Sequence, residues 1–292
     1  EFMLQQTQVK TVIPYFNKFT KKYKTLRALS KSNEKEILKM WEGLGYYRRA
    51  RNLLACSKKL VKDYKSKLPD TLEELKKLPG VGEYTGNALL GLVYDKPTIA
   101  IDGNVKRVFS RNLNRDEKEI NFEKLINKNK KKLLNTNRNA DFVEALMEFG
   151  ALICKPKDPN CITCCLNKTC KYFKSTDKIV SSNIKMIKNK DYDIFCYINK
   201  NKQIALTKKY QISFLKNFNL PTIKESDNSN NKNWKFLKNY KNSISNLKLN
   251  INLYYKFSNK IPSTYSWYSL EDNKEFIPSF TKKIFRQVAT LF

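Results

Sequence analysis

The chain has no histidine among its 292 residues, only 8 glycines, and 27 acidic side chains against 57 basic ones. Without imidazole there is neither a His general base nor a His-ligated metal, so acid–base work falls to carboxylates, Lys, Tyr or Cys. No run of about 18 apolar residues occurs, and the N-terminus has neither a charged leader nor a small-residue cleavage site. These absences predict a soluble, intracellular protein. What is present is a net charge of +30 and 41% hydrophobic residues. The charge predicts association with a polyanion such as DNA, although abundant Lys and Asn in loops also fit an AT-rich genome. The apolar content suffices for two cores.

Five of the seven cysteines fall between Cys154 and Cys170. Such clustering is unlike a secreted disulfide framework and reads as a metal or cluster site in a reducing compartment. Cys154, Cys161, Cys164 and Cys170 form C-x6-C-x2-C-x5-C, four thiolates in one short loop, which is what a 4Fe-4S cluster needs. Zinc sites more often use two C-x2-C pairs with a longer insert. Cys165, adjacent to Cys164, reads as a bystander, and Cys56 and Cys196 as core residues.

Up to about residue 150 apolar residues recur every three or four positions, as at Leu53, Cys56, Leu60 and Leu72, Leu75, Leu78. The pattern predicts short helices, one opened by a Thr71/Glu74 capping box and closed at Pro79-Gly80. Beyond Lys190 the period becomes strand-like, at Ile194–Ile198, Ile204–Leu206 and Leu247–Tyr255, with a closing helix over Thr281–Leu291. The division expected is therefore 1–174 helical, 175–189 linker, and 190–292 a second, α+β domain.

The cysteine spacing, at the end of a helical domain, resembles that of the endonuclease III and MutY-type glycosylases. Leu78-Pro79-Gly80-Val81-Gly82 resembles the family's helix-hairpin-helix, where exposed N–H groups and a helix N-terminus receive a phosphate. Ala100-Ile101-Asp102-Gly103-Asn104-Val105-Lys106-Arg107 resembles the stretch bearing the catalytic aspartate, and Glu1-Phe2-Met3-Leu4-Gln5-Gln6 the MutY motif whose glutamate protonates adenine. The resemblance makes Asp102 the stabiliser of an oxocarbenium-like state and Glu1 the acid, with a pKa that burial must raise. Endonuclease III-like lyases carry a Schiff-base lysine where this chain has Tyr84, so Tyr84 implies a monofunctional hydrolase in which the tyrosine assists.

Trp41-Glu42-Gly43-Leu44-Gly45-Tyr46-Tyr47-Arg48-Arg49-Ala50-Arg51 resembles another MutY signature. There Tyr46, with Gln6, matches residues wedged beside the damaged base, and Arg48, Arg49 and Arg51 read as phosphate partners or solvated charges. The fold implied is a mainly α helix-hairpin-helix core with a 4Fe-4S loop, followed by a Nudix-like domain without a metal box that recognises 8-oxoguanine, with Ser245 as a reader. Gly80, Gly82 and Asn104 complete the implied DNA contacts. The resemblance implies a monomeric adenine glycosylase acting on double-stranded DNA with A opposite 8-oxoguanine or G, nucleoid-associated in a bacterial cytoplasm. Two rivals are a bifunctional lyase and a binding-only scaffold. The family has roughly one more helix before the motif that begins here at Glu1, which implies an N-terminally shortened chain.

Overall fold

The computed structural model describes the whole chain except residues 135, 180–187, 210, 211, 213, 214, 216, 217, 228–230, 245, 246 and 272–275. It divides into two compact units: Glu1–Phe2, Thr25–Lys31 and Asn52–Ile184 form one, and Met3–Lys24, Ser32–Arg51 and Lys185–Phe292 the other. Among the described residues no helix is long and apolar enough to cross a membrane.

The helices in chain order are α1 (Val9–Lys22), α2 (Leu26–Ser30), α3 (Glu34–Met40), α4 (Arg48–Asp63), α5 (Leu72–Lys76), α6 (Glu83–Tyr94), α7 (Gly103–Leu113), α8 (Phe122–Leu133), α9 (Asn139–Glu148), α10 (Lys171–Lys174) and α11 (Ser279–Val288). The first unit's core is built from the three-and-four spacing. Cys56 and Leu60 of α4 meet Leu75, Leu78, Val81 and Leu90, all buried, and Ala88 packs with Ala100 and Val143. Thr71 caps α5 by accepting the Glu74 N–H at 3.4 Å, as its sequence predicts. After α5 the Val81 N–H closes a turn onto the Leu78 carbonyl at 3.1 Å, and Gly82 stands at the N-cap of α6. Gly80 has φ +80, and a Cβ there would come within 2.7 Å of Asn52 Cβ and Phe2, so the hairpin needs glycine at this position.

The second unit contains a six-stranded sheet of order β4-β5-β1-β2-β6, with β3 also on β1. Its strands are β1 (Lys188–Ile198), β2 (Gln203–Leu206), β3 (Thr222–Glu225), β4 (Lys235–Ile244), β5 (Leu247–Phe257) and β6 (Ser266–Ser269). The two long strands β1 and β5 run parallel, and the other pairings are antiparallel. The uninterrupted run Ile194-Phe195-Cys196-Tyr197-Ile198 falls in the central strand β1, where every one of these residues except Tyr197 is buried. In β5 the alternation of Leu249, Ile251 and Leu253, all fully buried, points one face at the core. Buried Phe280, Ile284, Phe285 and Val288 recur along α11 at helical spacing. Ser245 lies outside the described residues.

Candidate active site and cysteine centre

The first unit brings Glu1, Tyr84, Asp102 and Asn104 into one electrostatic neighbourhood. Tyr84 lies in the first turn of α6 and is half-buried. Burial raises the pKa of its hydroxyl, and the charges of Glu1 and Asp102 with a hydrogen bond to Glu1 raise it further. The same hydroxyl lies 3.4 Å from Met147 Sδ. A half-buried phenol next to two carboxylates stays protonated and remains a donor.

Asp102 is the N-cap of α7. Its Oδ1 accepts the Val105 N–H at 2.7 Å and its Oδ2 accepts Asn104 Nδ2 at 2.9 Å. The carboxylate is thereby fixed at a helix N-terminus, where the macrodipole favours negative charge. Asn104 is fixed in turn, because its Oδ1 accepts Arg107 Nη2 at 2.9 Å. Arg107 also donates to the Gly150 carbonyl at 2.5 Å and, through Nε, to the Cys154 carbonyl at 2.9 Å. A continuous polar chain thus runs from Asp102 to the start of the cysteine loop. Gly150 lies in a π-helical turn, Phe149–Ile153. A Cβ there would sit 2.7 Å from Asn104 Cβ and 3.0 Å from its carbonyl oxygen, so glycine lets this turn approach α7.

Cys154, Cys161, Cys164 and Cys170 line a single cavity with Arg111 and Tyr172. Cys165 is exposed, and Cys56 and Cys196 are buried in the cores, as their sequence contexts predict. Arg111, itself buried, donates to the Lys155 carbonyl at 2.6 Å and to the Pro156 carbonyl at 2.9 Å, and its Nη1 lies 3.5 Å from Cys154 Sγ. The Leu166 N–H points at Cys164 Sγ at 3.4 Å. Among the described residues no group of three or more His, Cys, Asp or Glu is arranged to hold a metal ion, so the four thiols share a cavity without a ready-made coordination geometry. The donor chemistry nevertheless fits an iron–sulfur group: four sulfurs, with a guanidinium and a backbone amide directed at two of them.

The hairpin glycines Gly80 and Gly82 are both exposed, and a Cβ at Gly82 would meet open space. Gln6 and Tyr46 belong to the second unit, and both are exposed. Of the three arginines near Tyr46, Arg48 is exposed, and Arg51 pairs with Glu34 at 2.7 Å while lying over the Phe218 ring. Arg49 is neither solvated nor available to a phosphate, contrary to its reading from sequence. It is 6% exposed, and its guanidinium donates to four backbone carbonyls.

A family model for the HhH-GPD superfamily of base excision DNA repair proteins matches residues 1–133. Over 296 aligned residues the chain is 34% identical to an adenine DNA glycosylase of Buchnera aphidicola subsp. Baizongia pistaciae, covering 93% of this chain and 83% of that protein. The chain belongs to the adenine DNA glycosylase family. It is also 36% identical over 202 residues to the adenine DNA glycosylase of Schizosaccharomyces pombe, spanning 43% of that longer protein. Among solved structures a thermostable thymine-DNA glycosylase aligns with a TM-score of 0.53 at 28% identity, over 59% of this chain and 81% of that one. An endonuclease III in a trapped covalent complex with DNA aligns at 0.52 and 25%, over the same shares.

Sequence reading missed the roles of Arg49, Arg107, Arg111 and Gly150. In a chain with only 8 glycines, a glycine just before the cysteine loop was the available signal for Gly150. The arginines act on carbonyls distant in sequence, which no local motif reveals.

Proposed function

We propose that this adenine DNA glycosylase family member hydrolyses the N-glycosidic bond of adenine mispaired with 8-oxoguanine or guanine in double-stranded DNA. The observation that carries the reading is the electrostatic grouping of Glu1 and Asp102 around the Tyr84 hydroxyl, all three residues half-buried. Glu1 donates a proton to adenine as the C1′–N bond breaks, and adenine leaves with the bonding electron pair. The Asp102 carboxylate stabilises the positive charge developing on the sugar. Water then adds to C1′ and gives up a proton to Glu1. The Tyr84 hydroxyl, kept neutral, orients Glu1 by hydrogen bonding. With no lysine at position 84 the enzyme forms no Schiff base and acts as a monofunctional hydrolase.

Cys154, Cys161, Cys164 and Cys170 would hold a 4Fe-4S cluster, which supplies structural support for the loop and redox capacity rather than hydrolysis. Gly80 and Gly82 shape the hairpin that receives a DNA phosphate at the N-terminus of α6, a 12-residue helix. Asn104 adds a contact near the reacting nucleotide, and Gln6 and Tyr46 fill the stack when adenine is extruded. In functional terms residues 1–174 are the glycosylase core, 175–189 the linker, and 190–292 a Nudix-like reader of 8-oxoguanine that includes Ser245. The enzyme works as a monomer on nucleoid DNA in a bacterial cytoplasm.

The test is single-turnover adenine release from duplexes carrying A opposite 8-oxoguanine, G or T, with borohydride added in parallel. Release confined to the two mispairs, with no trapped adduct, is expected. Equal release from A opposite T would sink the specificity, and a covalent adduct would make the enzyme a lyase.

A further inference from the structure

Arg49 has a different chemical position from the other arginines of its motif. Its Nη1 donates to the carbonyls of Met3 at 2.7 Å and Gln5 at 2.5 Å, and its Nη2 to those of Leu44 and Gly45, each at 3.2 Å. The first pair lies within the three residues before Gln6, with Gln5 adjacent to it, and the second immediately before Tyr46. The guanidinium also sits 5.4 Å from the ring centroids of both Trp41 and Tyr46. Trp41, fully buried, adds its own bond from Nε1 to the Gly45 carbonyl at 3.0 Å.

The residues after these carbonyls both have left-handed backbone, φ 56 at Gln6 and φ 47 at Tyr46. For a non-glycine residue that conformation is strained and persists where the surroundings over-determine it. Here the surroundings are one cation that grips the preceding carbonyls of both loops at once. Both side chains so presented are exposed, Tyr46 by 45% despite its large ring.

We infer that Arg49 is a positioning residue: it sets the backbone of the loops bearing Gln6 and Tyr46, and through them the enzyme's preference for mispaired over paired DNA. The inference rests on the proposed function and adds to it a determinant that never touches DNA. Because these four bonds go to backbone, the effect is one of loop geometry. A lysine keeps the charge, but its compact ammonium lacks the flat fork that spans two loops.

The test uses the full chain and two duplexes, one with A opposite T and one with a 2′-fluoro adenosine opposite 8-oxoguanine, whose fluorine blocks cleavage. The readout is the ratio of the two dissociation constants at fixed salt. Arg49→Lys and Tyr46→Ala are each expected to lower that ratio about tenfold, and the double variant to lower it no further than one of them does. A merely structural role predicts a ratio within twofold of wild type for Arg49→Lys, or a double variant equal to the product of the singles. Either result overturns the inference. If Arg49→Lys does not fold, Trp41→Phe removes the other tie to the Gly45 carbonyl and goes through the same cycle, with a smaller drop in the same direction expected. A wild-type chain that itself prefers neither duplex would refute the proposed function, and is recognised before any variant is compared.

Discussion

Asp102 has two duties that one substitution separates. Its Oδ1 caps α7, and its charge, in the proposed mechanism, stabilises the sugar cation. Asparagine keeps an oxygen for the Val105 N–H, so the cap survives, because Asn and Asp are about equally good N-caps. The other half of the new amide faces Asn104 Nδ2, now 2.9 Å from Oδ2, and sets donor against donor. Asn104 cannot turn its oxygen inward without giving up Arg107. One hydrogen bond is lost, at about 1 kcal/mol, and the loss of helix-dipole charge adds a few tenths. For a protein of this size that lowers the melting temperature by about 2 to 4 °C. The loss of charge stabilisation in the transition state is larger, about 3 to 4 kcal/mol, or a factor of about 100 to 1000 in rate.

Asp102→Ala removes the cap as well and costs about a further 1 kcal/mol in stability. The assay is single-turnover adenine release beside thermal unfolding of the same preparations. Asn is expected to be nearly as stable as wild type and almost inactive, and Ala less stable and no more active. An Asn variant within a few-fold of wild-type rate would refute the charge argument. So would losses of activity that follow the two melting temperatures.

Tyr84→Phe removes the hydroxyl that bonds Glu1 and is expected to slow adenine release about tenfold with unchanged melting; a rate within twofold of wild type would remove the tyrosine from the mechanism. Cys164→Ser is expected to purify with little of the roughly four irons per chain that a filled cluster contains, while Cys165→Ser, altering an exposed thiol outside the cavity, retains them. Equal iron loss in both would reassign the ligands. Burial pushes the Cys56 thiol up to about 11 from its usual 9.0. Between those values the unfolded chain releases the proton and the folded chain does not, so this contribution to stability is complete below pH 9. It is lost as pH rises through 11, by about 2 to 3 kcal/mol. Denaturant titrations at pH 8.5 and 11 measure the fall, which Cys56→Ala should make shallower; an equal fall in that variant would assign the alkaline loss to other groups.

The parts legible from sequence are those whose signal is local. The Thr71 cap needs only Glu74, three residues away, and the β5 alternation at Leu249, Ile251 and Leu253 needs only a period of two. The convergence of four thiols on one cavity follows from their falling within 17 residues, Cys154 to Cys170 inclusive. The parts that were not legible are long-range bonds from side chains to backbone carbonyls. Arg49 and Arg51 stand two positions apart in one arginine-rich run, yet one is sealed among the carbonyls of two loops and the other pairs with Glu34 in partial solvent. Burial separates them, and burial depends on residues more than 40 positions away. The same holds for Arg107, whose partners at Gly150 and Cys154 come from beyond α9. A guanidinium that satisfies several carbonyls at once makes the local backbone depend on a single side chain, since losing it leaves buried acceptors unpaired. Both sets of residues proposed to meet the reacting base pair are built this way: Asp102 and Asn104 braced through Arg107, and Gln6 and Tyr46 through Arg49. In a protein whose charge reads from composition as one broad attraction to DNA, these two arginines act inward, on its own main chain.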